Sequence, residues 1–147
     1  MSMIPLRIKR ISPLAEIPRY QSDNAAGLDL HAAIETPITL QQGEIQLIPC
    51  GFQMAVPPGY EAQVRPRSGL AARFGISMPN APGTIDADYR GEIKIAVINL
   101  GEKNYTVHRG DRIAQMVVKK VHQARLKEVD QLDETHRNSG GFGHTGR

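Results

Sequence analysis

The sequence predicts an all-β protein, and three observations carry that expectation. Apolar and polar residues alternate with a period of two over several short runs, the pattern of a strand with one buried face. Glycine (14 residues) and proline (10 residues) punctuate the chain at short intervals, which keeps the runs short and separates them by turns. Only one stretch has helical character. Many short strands of this kind close their edges as a sandwich, a barrel or a jelly roll. The 147 residues suit one domain rather than two.

In chain order, Leu6 and Ile8 alternate with Arg7 and Lys9, Phe52, Met54 and Val56 with Gln53 and Ala55, and Tyr60, Ala62 and Val64 with Glu61 and Gln63. Leu70 to Phe74 reads as a short helix, with Ser68 placed to cap it and Gly75 to end it. Ile93, Ile95 and Val97 form a further strand, and Ile113 to Val121 another. Turn signals fall at Gln42-Gly43-Glu44, Pro57-Pro58-Gly59, Asn99-Leu100-Gly101 and Arg109-Gly110-Asp111. From about Gln131 the pattern gives way to polar residues and then to RNSGGFGHTGR, whose four glycines and sparse apolar content cannot pack alone. The expected organisation is one β-barrel domain over residues 1–130 and a flexible Gly-rich arm over 131–147.

Composition narrows the function classes. Eighteen Lys and Arg against fifteen Asp and Glu give a net charge of +3, and aromatic residues make up 5% with no Trp. Neither a basic tract nor a stacking platform is offered to nucleic acid, so an anionic ligand is expected to be small. Cys50 is the sole cysteine, which excludes an intrachain disulfide and a thiolate zinc cage and suits a reducing compartment. It reads as a small buried hydrophobe. The five histidines show no metal-ligand spacing. No apolar run approaches the roughly 18 residues of a membrane helix, and MSMIPLRIKRISP lacks a signal-peptide core, so a cytoplasmic protein without a membrane partner is expected.

Four segments interrupt the strand alternation with chemistry-bearing residues. In AAGLDL, Asp29 is a lone carboxylate between apolar neighbours, compatible with a loop-to-strand junction. RPRSGL places Arg67, Ser68 and free backbone N–H groups at a helix start, which suits phosphate. An ordinary Ser N-cap flanked by surface arginines reads equally well there. In NAPGTIDADYRG, Pro82-Gly83 signals a turn, so the following residues are expected to form a tight hairpin approaching a ligand. Its Asn can read a base edge, its Tyr can stack and its Asp can deprotonate water, although solvated hairpin carboxylates are the common case. The tail adds Arg137 and Phe142 on a glycine-rich segment able to fold over a nucleotide, or else simply disordered.

Taken in order, AGLDL, RPRSGLA, NAPGTIDADYRG, GDRIAQMV and RNSGGFGHTG resemble the five motifs of the homotrimeric dUTP pyrophosphatases, the dUTPases, from Ala26 to Gly146. The resemblance implies a distorted β-barrel of jelly-roll type with one short helix, homotrimeric, in which three subunits share three active sites. It implies a dUTP diphosphatase that yields dUMP and pyrophosphate, supplies dUMP for dTMP synthesis and keeps uracil out of DNA. By position, Asn80 and the hairpin through Thr84, Ile85, Asp86 and Tyr89 would hold uracil, with Tyr89 under the deoxyribose where a 2′-hydroxyl would clash. Asp86 would be the base that activates a water against the α-phosphorus, and Asp88 a structural or solvated neighbour. Arg67, Ser68 and Gly69 would bind the phosphates, with Gln115 and Lys94 contributing, and Asp29 would position Mg²⁺ through water. From a neighbouring subunit Arg137 would reach the γ-phosphate and Phe142 would stack over uracil. His144 stands where the last motif most commonly has serine.

Two other classes are separable. A dCTP deaminase shares this fold but places a general acid/base Glu three residues before an Asn; here Asn99 is preceded at that distance by Ala96, which cannot shuttle a proton. A non-catalytic jelly-roll binding protein would need no ordered set of phosphate, base and metal residues.

Overall fold

The alternating runs become strands, and register shifts interrupt two of them. The structure, a computed structural model, describes residues 3–144 and 146. Met1, Ser2, Thr145 of the last motif and Arg147 lie outside the described residues. In chain order the elements are β1 (Arg7–Arg10), β2 (Leu28–His31), β3 (Ile38–Leu40), β4 (Ile45–Ala55), β5 (Tyr60–Arg65), α1 (Ser68–Phe74), β6 (Ile76–Ser77), β7 (Gly83–Ile85), β8 (Glu92–Asn99), β9 (Tyr105–Val107) and β10 (Arg112–Lys120). One antiparallel sheet has the order β1-β4-β8-β6 and a second the order β2-β10-β5-β7; β3 and β9 form a two-stranded ribbon.

All three sheets feed one core. Ile48, Phe52 and Ile95 enter from the first, Leu30, Ala62 and Met116 from the second, and Leu40 and Val107 from the ribbon. The expected inward faces hold: Phe52, Met54 and Val56 are buried, as are Ala62 and Val64, and Ile93, Ile95 and Val97. Cys50 is fully buried, as expected of a small hydrophobe; burial and the nearby Glu92 carboxylate push its thiol from an ordinary 9.0 up to about 12.

Two bulges distort the sheets and re-aim side chains. Between Pro49 and Gln53, β4 advances four residues while β8 advances two, and Gly51 absorbs the excess at φ 74°. Between Arg112 and Ala114, β10 advances two residues while β2 advances one. The second bulge buries both Ile113 and Ala114, so residues on either side of it share one face of the strand.

Two local expectations are corrected. Ser68 is the first helical residue rather than the cap: Arg67 holds the cap position in extended conformation, with no side-chain cap bond, and its carbonyl accepts the N–H of Ala71 at 3.0 Å. Gly75 does end the helix, at φ 69°. The segment after Pro82-Gly83 is not a two-stranded hairpin. Gly83 opens β7, which pairs with β5, whereas β8 pairs with β4 and β6, so Asp86–Gly91 crosses from one sheet to the other. The reversal comes later, at a turn in which the Tyr89 N–H donates to the Asp86 carbonyl at 3.2 Å. The last strand ends at Lys120, and residues 122–139 are exposed throughout.

Candidate functional site

Sheet register assembles the first half of the site. Asp29 on β2, Gln115 on β10 and Arg65 on β5 lie in one row across three neighbouring strands. Their neighbours Leu30, Ala114, Met116 and Val64 are buried, so this row faces away from the core. The chain then leaves β5 and delivers Arg67, Ser68 and Gly69 beside it, and a cleft of about 210 Å³ is lined by Asp29, Arg67, Ser68, Gly69 and Gln115. The Asp29 carboxylate, largely buried, stands 3.5 Å from Nε of Arg67 and 3.2 Å from Nη1 of Arg112. Arg67 Nη1 also donates to the Arg112 carbonyl at 3.1 Å, and Gln115 Nε2 donates to the Pro66 carbonyl at 3.1 Å. Two guanidinium groups against one carboxylate leave the cluster with an excess positive charge, the sign needed to receive phosphate. The seven-residue helix is too short to add much through its dipole, so side chains carry this capacity.

The second half lies on the other side of β5. A cleft of about 290 Å³, near the lower end of the roughly 300–1,000 Å³ typical of small-ligand pockets, is lined by Asn80, Gly83, Thr84, Ile85, Asp86, Tyr89 and Lys94. Leu47, Val64, Met78 and Ile93 supply apolar wall, and Glu92 and Ala96 complete it. The outward face of β8 therefore contributes Glu92, Lys94 and Ala96 in alternation, with Lys94 Nζ 3.9 Å from Glu92. Ala96 stands inside this cleft, so the position that a deaminase would give to Glu faces the cavity without a proton-carrying group. Tyr89 donates its hydroxyl to the Glu92 carbonyl at 3.0 Å, and Arg90 Nη1 clamps the turn by donating to the carbonyls of Ala87 (2.7 Å) and Tyr89 (2.8 Å). Asp86 is exposed and also borders a neighbouring groove formed with Gly59, Glu61, Asp88 and Arg90, so water reaches its carboxylate from two sides.

The expected site residues thus divide into two clefts with no lining residue in common. Arg137 and Phe142 line neither: Phe142 is fully exposed, and Arg137 Nε donates within the tail to the Gly140 carbonyl at 2.7 Å. Arg112 is the residue that sequence reasoning missed. A regular strand would put residues 112 and 115 on opposite faces; the bulge puts both on the side of Asp29. The only sequence signal was its place in GDRIAQMV. Among the described residues no cluster of three or more His, Cys, Asp or Glu could hold a metal by itself. Asp29, Ser68 and Gln115 offer one carboxylate, one hydroxyl and one amide, a donor set that fits Mg²⁺ carried in by phosphate oxygens with its own waters.

The dUTPase family model matches residues 14–146. The chain is 52% identical to a deoxyuridine 5′-triphosphate nucleotidohydrolase of Caldanaerobacter subterraneus subsp. tengcongensis, covering 97% of this chain and 98% of the relative. It is 56% identical to the enzyme of the same name from Neorickettsia sennetsu, over 89% and 88% of the two chains. Among solved structures, the dUTPase of Staphylococcus bacteriophage 80alpha with dUpNHpp superposes with a TM-score of 0.86 at 24% identity, covering 97% of this chain and 99% of that one. A variant of the phage phi11 dUTPase, described with a coordinated structural Mg(II) ion, gives a TM-score of 0.78 at 22% identity over 86% and 97%. These solved relatives share the jelly-roll barrel. The chain belongs to the dUTPase family.

Proposed function

We propose that this protein is a dUTP diphosphatase that hydrolyses dUTP with water to dUMP and pyrophosphate in the cytoplasm. The observation that carries the reading is the sorting of the motif residues into a base-sized cleft holding Asn80, Asp86 and Tyr89 and a cationic cleft holding Arg67, Ser68 and Gln115. The names of relatives more than half identical to this chain supply the substrate. Uracil enters the cleft at Asn80 and the β7 backbone at Thr84 and Ile85, and selection against thymine requires this backbone to exclude its 5-methyl. Apolar space alone rejects one methyl by only about 10- to 200-fold, so a rigid backbone must add to it. Tyr89 lies under the deoxyribose and excludes a 2′-hydroxyl, and Lys94 on β8 contributes charge at the cleft edge.

Asp86 takes a proton from a water molecule aimed at the α-phosphorus, and pyrophosphate leaves in line. Arg67, Ser68, the Gly69 backbone and Gln115 hold the phosphates. Magnesium chelated by the triphosphate would be met by Asp29 through water, and when bound it offsets the charge that builds on the phosphate oxygens. Because the base cleft and the phosphate cleft are separate within one chain, the complete site is read as shared in a homotrimer: one subunit holds the base, a second the phosphates, and a third sends its arm. Arg137 from that arm reaches the γ-phosphate and Phe142 covers the uracil, excluding bulk water. Residues 1–130 form the barrel domain and 131–147 the arm in this reading.

The test is incubation with Mg²⁺ and, separately, dUTP, dTTP, dCTP and UTP, with phosphorus NMR for products and an ammonia assay. dUMP and pyrophosphate from dUTP alone are expected. Ammonia from dCTP would move the chain to the deaminases despite Ala96, and no turnover of any of the four would leave a binding protein.

A further inference from the structure

Gly91 has no side chain for a reason that the backbone does not supply. Its φ lies outside the left-handed region, so an L-residue could adopt the same conformation. Yet a Cβ placed there would stand 2.3 Å from the hydroxyl oxygen of Tyr89, 2.5 Å from its Cζ and 2.9 Å from its Cε2. Non-bonded carbon atoms rest at about 3.5–4.0 Å, so the phenol occupies the volume that any side chain at 91 would need. The hydroxyl end of the ring is seated on the Gly91 backbone, and the same hydroxyl is tied to the Glu92 carbonyl at 3.0 Å. Tyr89 is half exposed, so little else packs over the ring to hold it. At the other end, the Tyr89 carbonyl is fixed by Arg90 and its N–H by Asp86.

We infer that Gly91 is a positioning residue that sets sugar selectivity: its bare backbone fixes the depth at which the Tyr89 ring meets the sugar. The inference rests on the proposal that Tyr89 lies under the deoxyribose. A ring free to slide by an ångström accommodates a 2′-hydroxyl; a ring pinned between the Gly91 backbone and the Glu92 carbonyl does not. Adding one methyl at 91 dislodges the hydroxyl end, breaks the bond to Glu92 and leaves the ring mobile in the cleft wall.

The test is a double-mutant cycle read as kcat/KM for dUTP and for UTP in the parent, Gly91→Ala, Tyr89→Ala and the double variant. In Gly91→Ala the dUTP-to-UTP ratio is expected to fall about tenfold or more, a readout that general destabilisation would not move because both substrates use the same fold. With Tyr89→Ala already present, Gly91→Ala is expected to change the ratio by less than roughly twofold, since the ring atoms it would meet are gone. An unchanged ratio in the single variant, or an equal loss in both backgrounds, overturns the inference. Should Gly91→Ala fail to fold, a folded double variant would still locate the conflict in the ring, whereas an unfolded one would assign Gly91 a backbone role and overturn the inference. A parent that turns over UTP as readily as dUTP would instead refute the placement of Tyr89 under the sugar, and that is seen before any substitution is made.

Discussion

At the scale of single residues, the chemistry rests on side chains whose identity the sequence shows and whose setting it does not. Asp86 stands at an open edge between two grooves, where a carboxylate stays hydrated and can hold a water. Replacing it by Asn keeps the shape of the cleft and removes the proposed base. Asp86→Asn is expected to bind a dUTP analogue as the parent does in calorimetry while turnover falls at least about 10²- to 10⁴-fold; near-normal turnover would sink its assignment. Arg112 shows why residue-level reading stopped short, because its pairing with Asp29 depends on a bulge that strict alternation does not anticipate. Cys50 gives a pH prediction. Its folded-state pKa is raised from 9.0 to about 12, so the native protein keeps the thiol proton that the unfolded chain loses, and stability drawn from this group is complete below pH 9 and lost as pH rises toward 12. A thiol reagent at pH 9 is expected to label the denatured protein promptly and the native protein hardly at all; prompt native labelling would contradict the buried thiol.

At the scale of elements, short strands and tight turns position the site, and glycines make the turns possible. Gly75 ends α1 at φ 69°, and a Cβ there would stand 2.5 Å from the Gly101 nitrogen and 2.8 Å from its Cα, main-chain atoms that cannot swing aside. Asn99 braces the same corner: its side-chain amide donates to the carbonyls of Leu40 and Lys103 and its oxygen accepts the Gly101 N–H. Gly43 has a similar φ of 78° but open space around it. Gly43→Ala should therefore show only the conformational cost of a left-handed residue, about 1 kcal/mol, and Gly75→Ala clearly more. Urea unfolding of the two variants separates these terms, and equal destabilisation would remove the packing argument at Gly75. The helix and the alternating strands were legible because each is a local pattern. The crossing of Asp86–Gly91 between sheets was not, because a turn signal tells where the chain reverses and not which strand it meets next.

At the scale of the whole molecule, the two clefts have separate linings, and none of the described residues from 131 on lines either. Leu126 and Leu132 are almost fully exposed in the single chain. The described residues after Arg137 contribute no side chain to the core. Deleting them is expected to leave a folded trimer by light scattering, with catalysis strongly reduced; dissociation or unfolding would make the arm structural instead. No helix of the described residues is long and apolar enough to cross a membrane.

Local order along the chain carried the all-β class through period-two alternation, the burial of Cys50, the end of the helix at Gly75, and the family through five motifs in fixed order. Tertiary structure alone decided how those motifs meet. It aligned Asp29, Gln115 and Arg65 in one row through strand register, brought Arg112 to Asp29 through a bulge, seated Tyr89 against Gly91, and held the cleft at Asn80 and Asp86 apart from the cleft at Arg67 and Ser68. The physical reason is that periodicity reports which face of a strand is buried, a property of neighbours along the chain. Partners across strands are chosen by pairing between segments tens of residues apart, and no local pattern encodes that choice.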